Sequence, residues 1–491
     1  MERKIHWYDY ITVNIYFFAL TARSQTLTPL ILPLLVQAFM GDDVKGAAYG
    51  NLRLWALMIA VLVQGLVGLL SDRSTSRLGR RRPFILIGGV TEVLVFLGIG
   101  VIAATMEGPA GYWTLFGAYI LSMLSSNTGH AAAQGLIPDL IPEKKHGIFS
   151  GVKAFFELPA PLIFVSFVIT KMVEAGNIWG ALLTLSGIVL LCTLITMFVP
   201  EKPIKQPPYE MDWKPILRLV AMTAVFTVII LGSGELVSFV NGLAVDLPDT
   251  TALIVTAAMG VLGMAVAVIL GVWASVRISL GGGKKGTRDK SSFTWWVINR
   301  LAFLVGSTNL ASFVLYFLQE RFPELEGTAA AGPTAMLVMF VGIAILISSI
   351  PAGWLTDKFG RKPLCAFSGV LATVGTVVVL ASVSMTMLYI GGLMVGVAIG
   401  IFYSASWALG TSMVPKEEAG RYLGIQNLAG AGAGAIGAYI GGPIGDGVGF
   451  TVLMGIFGLL FLISTLALFG IKDQPKGPGE PAVGDGIMEA E

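Results

Sequence analysis

Fourteen long apolar runs divide this chain of 491 residues, with short polar connections between them. A helix needs about 20 residues to cross hydrocarbon, where every backbone N–H and C=O must find a partner within the protein. Runs of this length predict transmembrane helices over 11–38, 52–70, 83–104, 112–136, 149–171, 179–199, 216–240, 251–276, 295–318, 332–354, 363–382, 387–410, 422–441 and 450–470. Charged residues make up 13% of the chain and hydrophobic ones 55%, whereas about one quarter of a soluble domain is charged. A soluble enzyme of this length has too little interior to hide that much apolar surface. The opening MERKIHWYDY is polar and lacks a small-residue cleavage site behind a brief apolar core, so the first run is expected to remain as a span.

The few charges cluster, and they alternate. Lysine and arginine mark every second connection, most densely at Arg73, Arg77, Arg80, Arg81 and Arg82, and again at Lys358, Arg361 and Lys362. The intervening connections, GDDVKG, the turn at Glu107, DLPDT and ERFPELEG, are acidic or nearly neutral. Positive charge stays on the cytoplasmic side, so both termini are expected there, in a multi-pass protein of the cell membrane. The tail from Asp473, rich in proline, glycine and acid, reads as disordered. A net charge of +2 gives no support to a nucleic-acid partner. Cys192 and Cys365 fall in apolar runs and read as small packing residues rather than a disulfide.

Two connections share a pattern. The first, GLLSDRSTSRLGRRRP, places Gly68, Asp72 and Arg73 before Gly79, Arg80, Arg81 and Pro83. The second, GWLTDKFGRKP, places Gly353 and Asp357 before Gly360, Arg361, Lys362 and Pro363, about 285 residues later. Glycine admits close helix approach or an unusual backbone angle. The aspartate suits a helix cap or a basic partner, and proline fits the first turn of the next helix. A second echo, GLIPDLIPEKKHGIFSG against ALGTSMVPKEEAGRYLG, points the same way, to an internal duplication.

With these motifs the chain resembles the major facilitator superfamily, whose loop between spans two and three and its second-half counterpart look like the two connections above. The serine-rich SDRSTSRLGRRRPFI and the PDLIP…KKHG segment are similar to the sucrose-transporter and glycoside–pentoside–hexuronide branches, which move sugars with protons or sodium. The resemblance implies two pseudo-symmetric six-helix bundles, at 11–199 and 295–470, that rock around a central site, with the charged loops as gates. The superfamily's usual twelve spans leave 216–276 as an additional transmembrane hairpin, between linkers 200–215 and 277–294, with 1–10 and 471–491 as cytoplasmic ends. Fourteen spans are more typical of drug exporters and oligopeptide transporters than of sugar porters. The glycine–proline signature common in the exporters' fifth span is absent from GVKAFFELPAPLIF.

Ionisable groups inside apolar runs are expensive and mark function by default. Arg23 lies about twelve residues, or roughly 18 Å, into the first run. It has two readings: substrate ligand or structural ion-pair partner. Lys153 and Glu157 share a face of the fifth run at i, i+4. They read either as a self-satisfied pair or as a pair that protonation or substrate switches. Pro159 and Pro161 follow and leave carbonyls unpaired. Asn127, His130 and Gln134 form one polar stripe of the fourth run, on a span that the resemblance implies lines the cavity. Glu92 and Glu235 are secondary coupling candidates, Glu92 on a lateral span and Glu235 in the extra hairpin. The second half has no aspartate or glutamate within its runs. Its candidates are Arg300, which snorkels or binds substrate, Asn309, and the Tyr403/Trp407 pair, placed to stack on a sugar face or to pack between bundles.

No nucleotide-binding loop appears, since GGGKKG at 281–286 lacks the spacing and the hydroxyl. Three scattered histidines do not build a metal site. The expectation is a non-enzymatic secondary transporter without cofactor, working as a monomer in the bilayer on a small-molecule substrate. Coupling to protons is preferred and to sodium allowed, and the process is uptake of a sugar or glycoside. Export of lipophilic or amphipathic compounds is the alternative reading.

Overall fold

The structure is a computed structural model that describes residues 5–201, 203, 213–244, 247–281, 287–411, 413 and 419–472. The linker 204–212, most of the 281–286 segment, part of the second echo and the tail from Asp473 lie outside the described residues.

Helical segments follow the fourteen runs. In chain order they are α1 (15–40), α2 (Lys45–Asp72), α3 (Arg82–Thr105), α4 (Gly108–Gln134), α5 (143–174), α6 (Ile178–Thr196), α7 (Lys214–Ala244) and α8 (Asp249–Leu280). Then follow α9 (Thr287–Arg321), α10 (Ala331–Phe359), α11 (Arg361–Leu380), α12 (Met385–Thr411), α13 (Ala419–Val448) and α14 (Phe450–Ala467). Among the described residues, eleven helices are long and apolar enough to cross a membrane, by length and composition. The three segments outside that set, α1, α4 and α13, have a physical reason in common. Each trades apolar content or continuity for polar side chains, and α4 and α13 for glycine as well.

α1 is interrupted by a π-helical turn, Leu27–Ile31, and α5 carries one at Val165–Ile169. In α5 the helix also breaks at Leu158, whose backbone sits at φ −124°, ψ −79° between Glu157 and Pro159. Proline supplies no N–H and crowds the preceding turn, so the break falls where PAP dictates it.

The two related connections adopt one backbone device. Gly79 (φ 104°) and Gly360 (φ 93°) both occupy the left-handed region, which is costly for any residue with a Cβ. Pro83 and Pro363 then enter the first turns of α3 and α11. Gly68 and Gly353, by contrast, face open space, so no close helix approach depends on them.

Within the first six helices α3 packs on α4 and α6, and α2 on α4; within the last six α12 packs on α10 and α11, and α9 on α14; the two groups meet where α2 runs along α13 and α5 along α10. The α7–α8 pair lies on that first seam, with α7 against α2 and α13, and α8 against α13, α9 and α14. Cys192 and Cys365 are buried and unpaired.

Candidate functional site

A cavity of about 940 Å³ opens between the two groups of helices. α1, α2, α4 and α13 supply most of its wall, with Glu157 and Leu158 of α5, Leu219 of α7 and Arg300 of α9. Three of those four principal helices are the ones too polar or too broken to register as plain apolar spans. Their polar residues therefore face the cavity rather than lipid.

The cavity runs from Arg23 midway along α1 to Gly68, Gln134 and Gly424, at the end where the basic connections lie. The opposite, acidic end is sealed. There the Asp446 carboxylate of α13 accepts from the Gly46 and Ala47 amides at the start of α2, at 2.8 and 2.7 Å. Tyr316 donates to the Pro33 carbonyl at 2.8 Å, and Ser166 to that of Ala335 at 3.1 Å. Lys45 lies over the rings of Tyr316 and Phe450. It also donates to Asp42, and together with Gln37 it holds that exposed carboxyl below its ordinary range. A Cβ on Gly46 would meet the Gly442 carbonyl oxygen, and one on Gly50 that of Ala438. Each of these positions must be glycine for the seam to close.

Arg23 and Glu92, weighed separately from the sequence, form one buried ion pair. Arg23 is 5% exposed and Glu92 3%. Nε of Arg23 donates to Glu92 at 2.7 Å, and its guanidinium donates to Ser122 Oγ at 2.6 Å. Ser122 and Ser125 both donate to Glu92. The pair pins α1, α3 and α4 together. Glu92 thus sits between α1, α3 and α4, behind the cavity wall that Arg23 reaches. Removing one partner of such a pair costs about 3–5 kcal/mol, because the other charge is left buried alone.

The 127/130/134 stripe reaches the wall intact. Asn127 is tethered to the Met123 carbonyl at 2.9 Å, and His130 bridges Gln134 at 3.0 Å and Gln64 at 3.4 Å. Gln426 and Asn427 of α13 line the cavity with the stripe, so amides from both halves meet there. Lys153 and Glu157 form a loose pair at 3.6 Å, with Lys153 also 4.3 Å above the Phe17 ring. Of these two, Glu157 lines the cavity.

Other candidates are placed differently. Asn309 is fully buried and donates to the Val305 and Ala433 carbonyls, joining α9 to α13 away from the cavity. Tyr403 and Trp407, 38% and 48% exposed, are not part of the cavity wall, although Trp407 lies beside Arg300. Glu235 accepts from Tyr439 Oη at 2.9 Å and fastens α7 to α13.

The first related connection is a charge network. Arg81 pairs with Asp72 and with Asp139, the latter at 2.9 Å, and donates to Ser71 at 2.6 Å. Arg80 pairs with Asp139, while Glu201 accepts from the Arg81 and Arg82 amides. Arg73 takes no part in these ion pairs. Asp139 and Glu201 were not singled out from the sequence: one sits in PDLIP and the other 120 residues downstream of Arg81. Their only sequence signal is an acid beside a helix end facing a basic loop.

The family is settled by comparison. The model of the Major Facilitator Superfamily matches residues 13–320 and, again, 296–487. The chain belongs to that superfamily. Among curated relatives, it is 29% identical over 136 residues to the minor myo-inositol transporter IolF of Bacillus subtilis, covering 28% of this chain and 29% of the relative. It is 34% identical over 146 residues to the multi-drug resistance efflux pump PmrA of Streptococcus pneumoniae, covering 28% and 36%. The matched region thus spans about a third of each relative's length. Among solved structures, a mutant of the nucleoside transporter NupG superposes with a TM-score of 0.65 at 12% identity, over 95% of this chain and 100% of that one. A D-xylose–proton symporter gives 0.61 at 17%, over 94% and 97%. These likenesses define an all-α multi-pass fold. Among the described residues no group of three His, Cys, Asp or Glu side chains is placed to hold a metal ion.

Proposed function

We propose that this protein takes up a hydroxylated, sugar-like solute together with protons, by alternating access. The reading has fourteen crossings: two six-helix bundles, 11–199 and 295–470, with the 216–276 hairpin braced across one seam. The basic connections lie in the cytoplasm with both termini, so the structure is inward-open. The molecule works as a monomer in the cell membrane.

One observation carries the reading: amides from α4 and α13 converge on an open cavity beside a buried Arg23–Glu92 pair. Amides donate and accept, as sugar hydroxyls do. Glu92 is taken as the proton site, because losing its charge would release Arg23 and loosen the contacts among α1, α3 and α4. Glu157, open to the cavity and loosely held, is the second proton site. The relatives named for myo-inositol and D-xylose support the solute class.

A second reading, export of amphipathic compounds, is favoured by the likeness to PmrA, named a multi-drug efflux pump, and by the apolar wall at Leu20, Leu57 and Leu219. Proteoliposomes with an imposed proton or sodium gradient decide between them. Accumulation of labelled myo-inositol or D-xylose driven by protons supports uptake. Gradient-driven expulsion of a lipophilic dye, with no sugar movement, supports export.

A further inference from the structure

The charges along the path between the two halves do not balance. Arg23 is matched by Glu92, and Glu157 by Lys153. Arg53 and Arg300 have no carboxylate partner among the described residues. Arg53, on α2, is 7% exposed. It reaches only hydroxyls, Thr28 at 3.3 Å and Ser312 at 3.4 Å, and its Nε has no partner. Arg300 lines the cavity. It has one long contact to Ser406 Oγ at 3.4 Å, lies 5.9 Å from the centres of the Trp296 and Trp407 rings, and also has an unpartnered Nε.

Arginine does not shed its proton. Burying a guanidinium against neutral hydroxyls is costly, and in a membrane interior such a charge is kept only with a use. The positions suggest the use. Arg53 sits one turn beyond the cavity-lining Leu57, in the sealed section between α1 and α9. Ser312, its α9 partner, lies twelve residues along the same helix from Arg300, about 18 Å. Two uncompensated cations therefore mark the two ends of one route.

We propose that the transported solute carries a negative charge, a carboxylate or a phosphate, which Arg53 receives when the acidic end is open and Arg300 holds when the basic end is open. The missing counter-charge then arrives with the solute. This rests on the proposed transport through the cavity. Arginine's planar fork suits either anion.

The test measures binding to the purified full-length protein, read as ligand-dependent thermal stabilisation, for D-glucuronate, D-glucose 6-phosphate, D-glucose and cholate. The expected result is at least one anion bound more than tenfold tighter than glucose. R300Q should weaken that anion roughly 10- to 100-fold, the range of a charge-assisted hydrogen bond, several-fold more than it weakens glucose, and R300K should recover part of the loss. R53Q, with R53K as the charge-retaining control for folding, should lower proteoliposome uptake of the same anion from the acidic side. A phosphate preference over glucuronate, or the reverse, names the anion. Cholate alone binding in an Arg300-dependent way supports the anionic assignment and removes the sugar reading. Glucose binding as tightly as its acids, unaffected by R300Q, overturns the anionic assignment and leaves sugar transport standing. No anion bound at all overturns it too.

Discussion

The two related connections share a backbone and differ in load. Both turn through a glycine with positive φ and restart on a proline. In the first, Arg80 and Arg81 are tied to Asp72, Asp139 and Ser71, and Glu201 caps the amides that open α3. In the second, Asp357 and Arg361 are exposed, without ion pairs among the described residues, and Lys362 donates to the Ile471 carbonyl at 2.8 Å. The first loop's ion pairs all stay within the first half of the chain. At the open basic end these ion pairs therefore do not bridge the two halves. The two turns share a geometry, while the ion pairs of Asp72, Arg80 and Arg81 have no counterpart at Asp357 and Arg361 among the described residues. The membrane interior repeats that asymmetry: the Arg23–Glu92 and Lys153–Glu157 pairs are both in the first half, and the second half contributes amides and one lone arginine to the cavity.

The sharpest way to break this comparison is in the buried pair. E92A should destabilise the protein by about 3–5 kcal/mol and abolish accumulation, because Arg23 is left buried without its counter-charge. E92Q should retain more stability yet lose proton-driven accumulation; thermal melts and gradient-driven uptake read both. If E92Q accumulates solute normally, the proton seat is elsewhere. Next comes the first loop. R81A strips Asp72 of its ion-pair partner and leaves Asp139 to Arg80 alone, and should cost about 1–3 kcal/mol, against less than about 0.5 kcal/mol for R361A on the exposed copy. Equal losses would erase the distinction between the two loops. Third, G50A should hold the acidic end open, because its methyl would press into the Ala438 carbonyl. A cysteine introduced near Asn51 should then label faster from that side, and unchanged labelling would show that the seam yields. Smallest is E157Q. It should shift the pH dependence of uptake while leaving melting within about 0.5 kcal/mol, since the Lys153 contact is long and half exposed.

How much of this could be read beforehand follows from range. Spans, alternating charge and the 127/130/134 stripe depend on neighbours within a few residues, and helical periodicity exposes them. The glycine and proline of each connection are equally local. The break in α5 followed from its prolines. The pairing of Arg23 with Glu92, 69 residues away, has no local signature; nor has Asp446 reaching Gly46 across 400 residues. Arg53 escaped notice because it stands at the edge of an apolar run, where snorkelling is the ordinary expectation. Asn309 and the Tyr403/Trp407 pair show the converse. A polar or aromatic residue in a run can face another helix as readily as a cavity, and periodicity alone does not distinguish the two faces.

Alternation between the two ends is the central claim, and paired distance measurements test it directly. Spin labels at Asp43 and Gly447 straddle the sealed acidic end, and labels at Arg77 and Phe359 straddle the open basic end. All four positions are exposed. On changing pH or adding a bound solute, the account predicts that the first distance lengthens as the second shortens. Both distances moving in the same direction, or neither moving while transport proceeds, would contradict it.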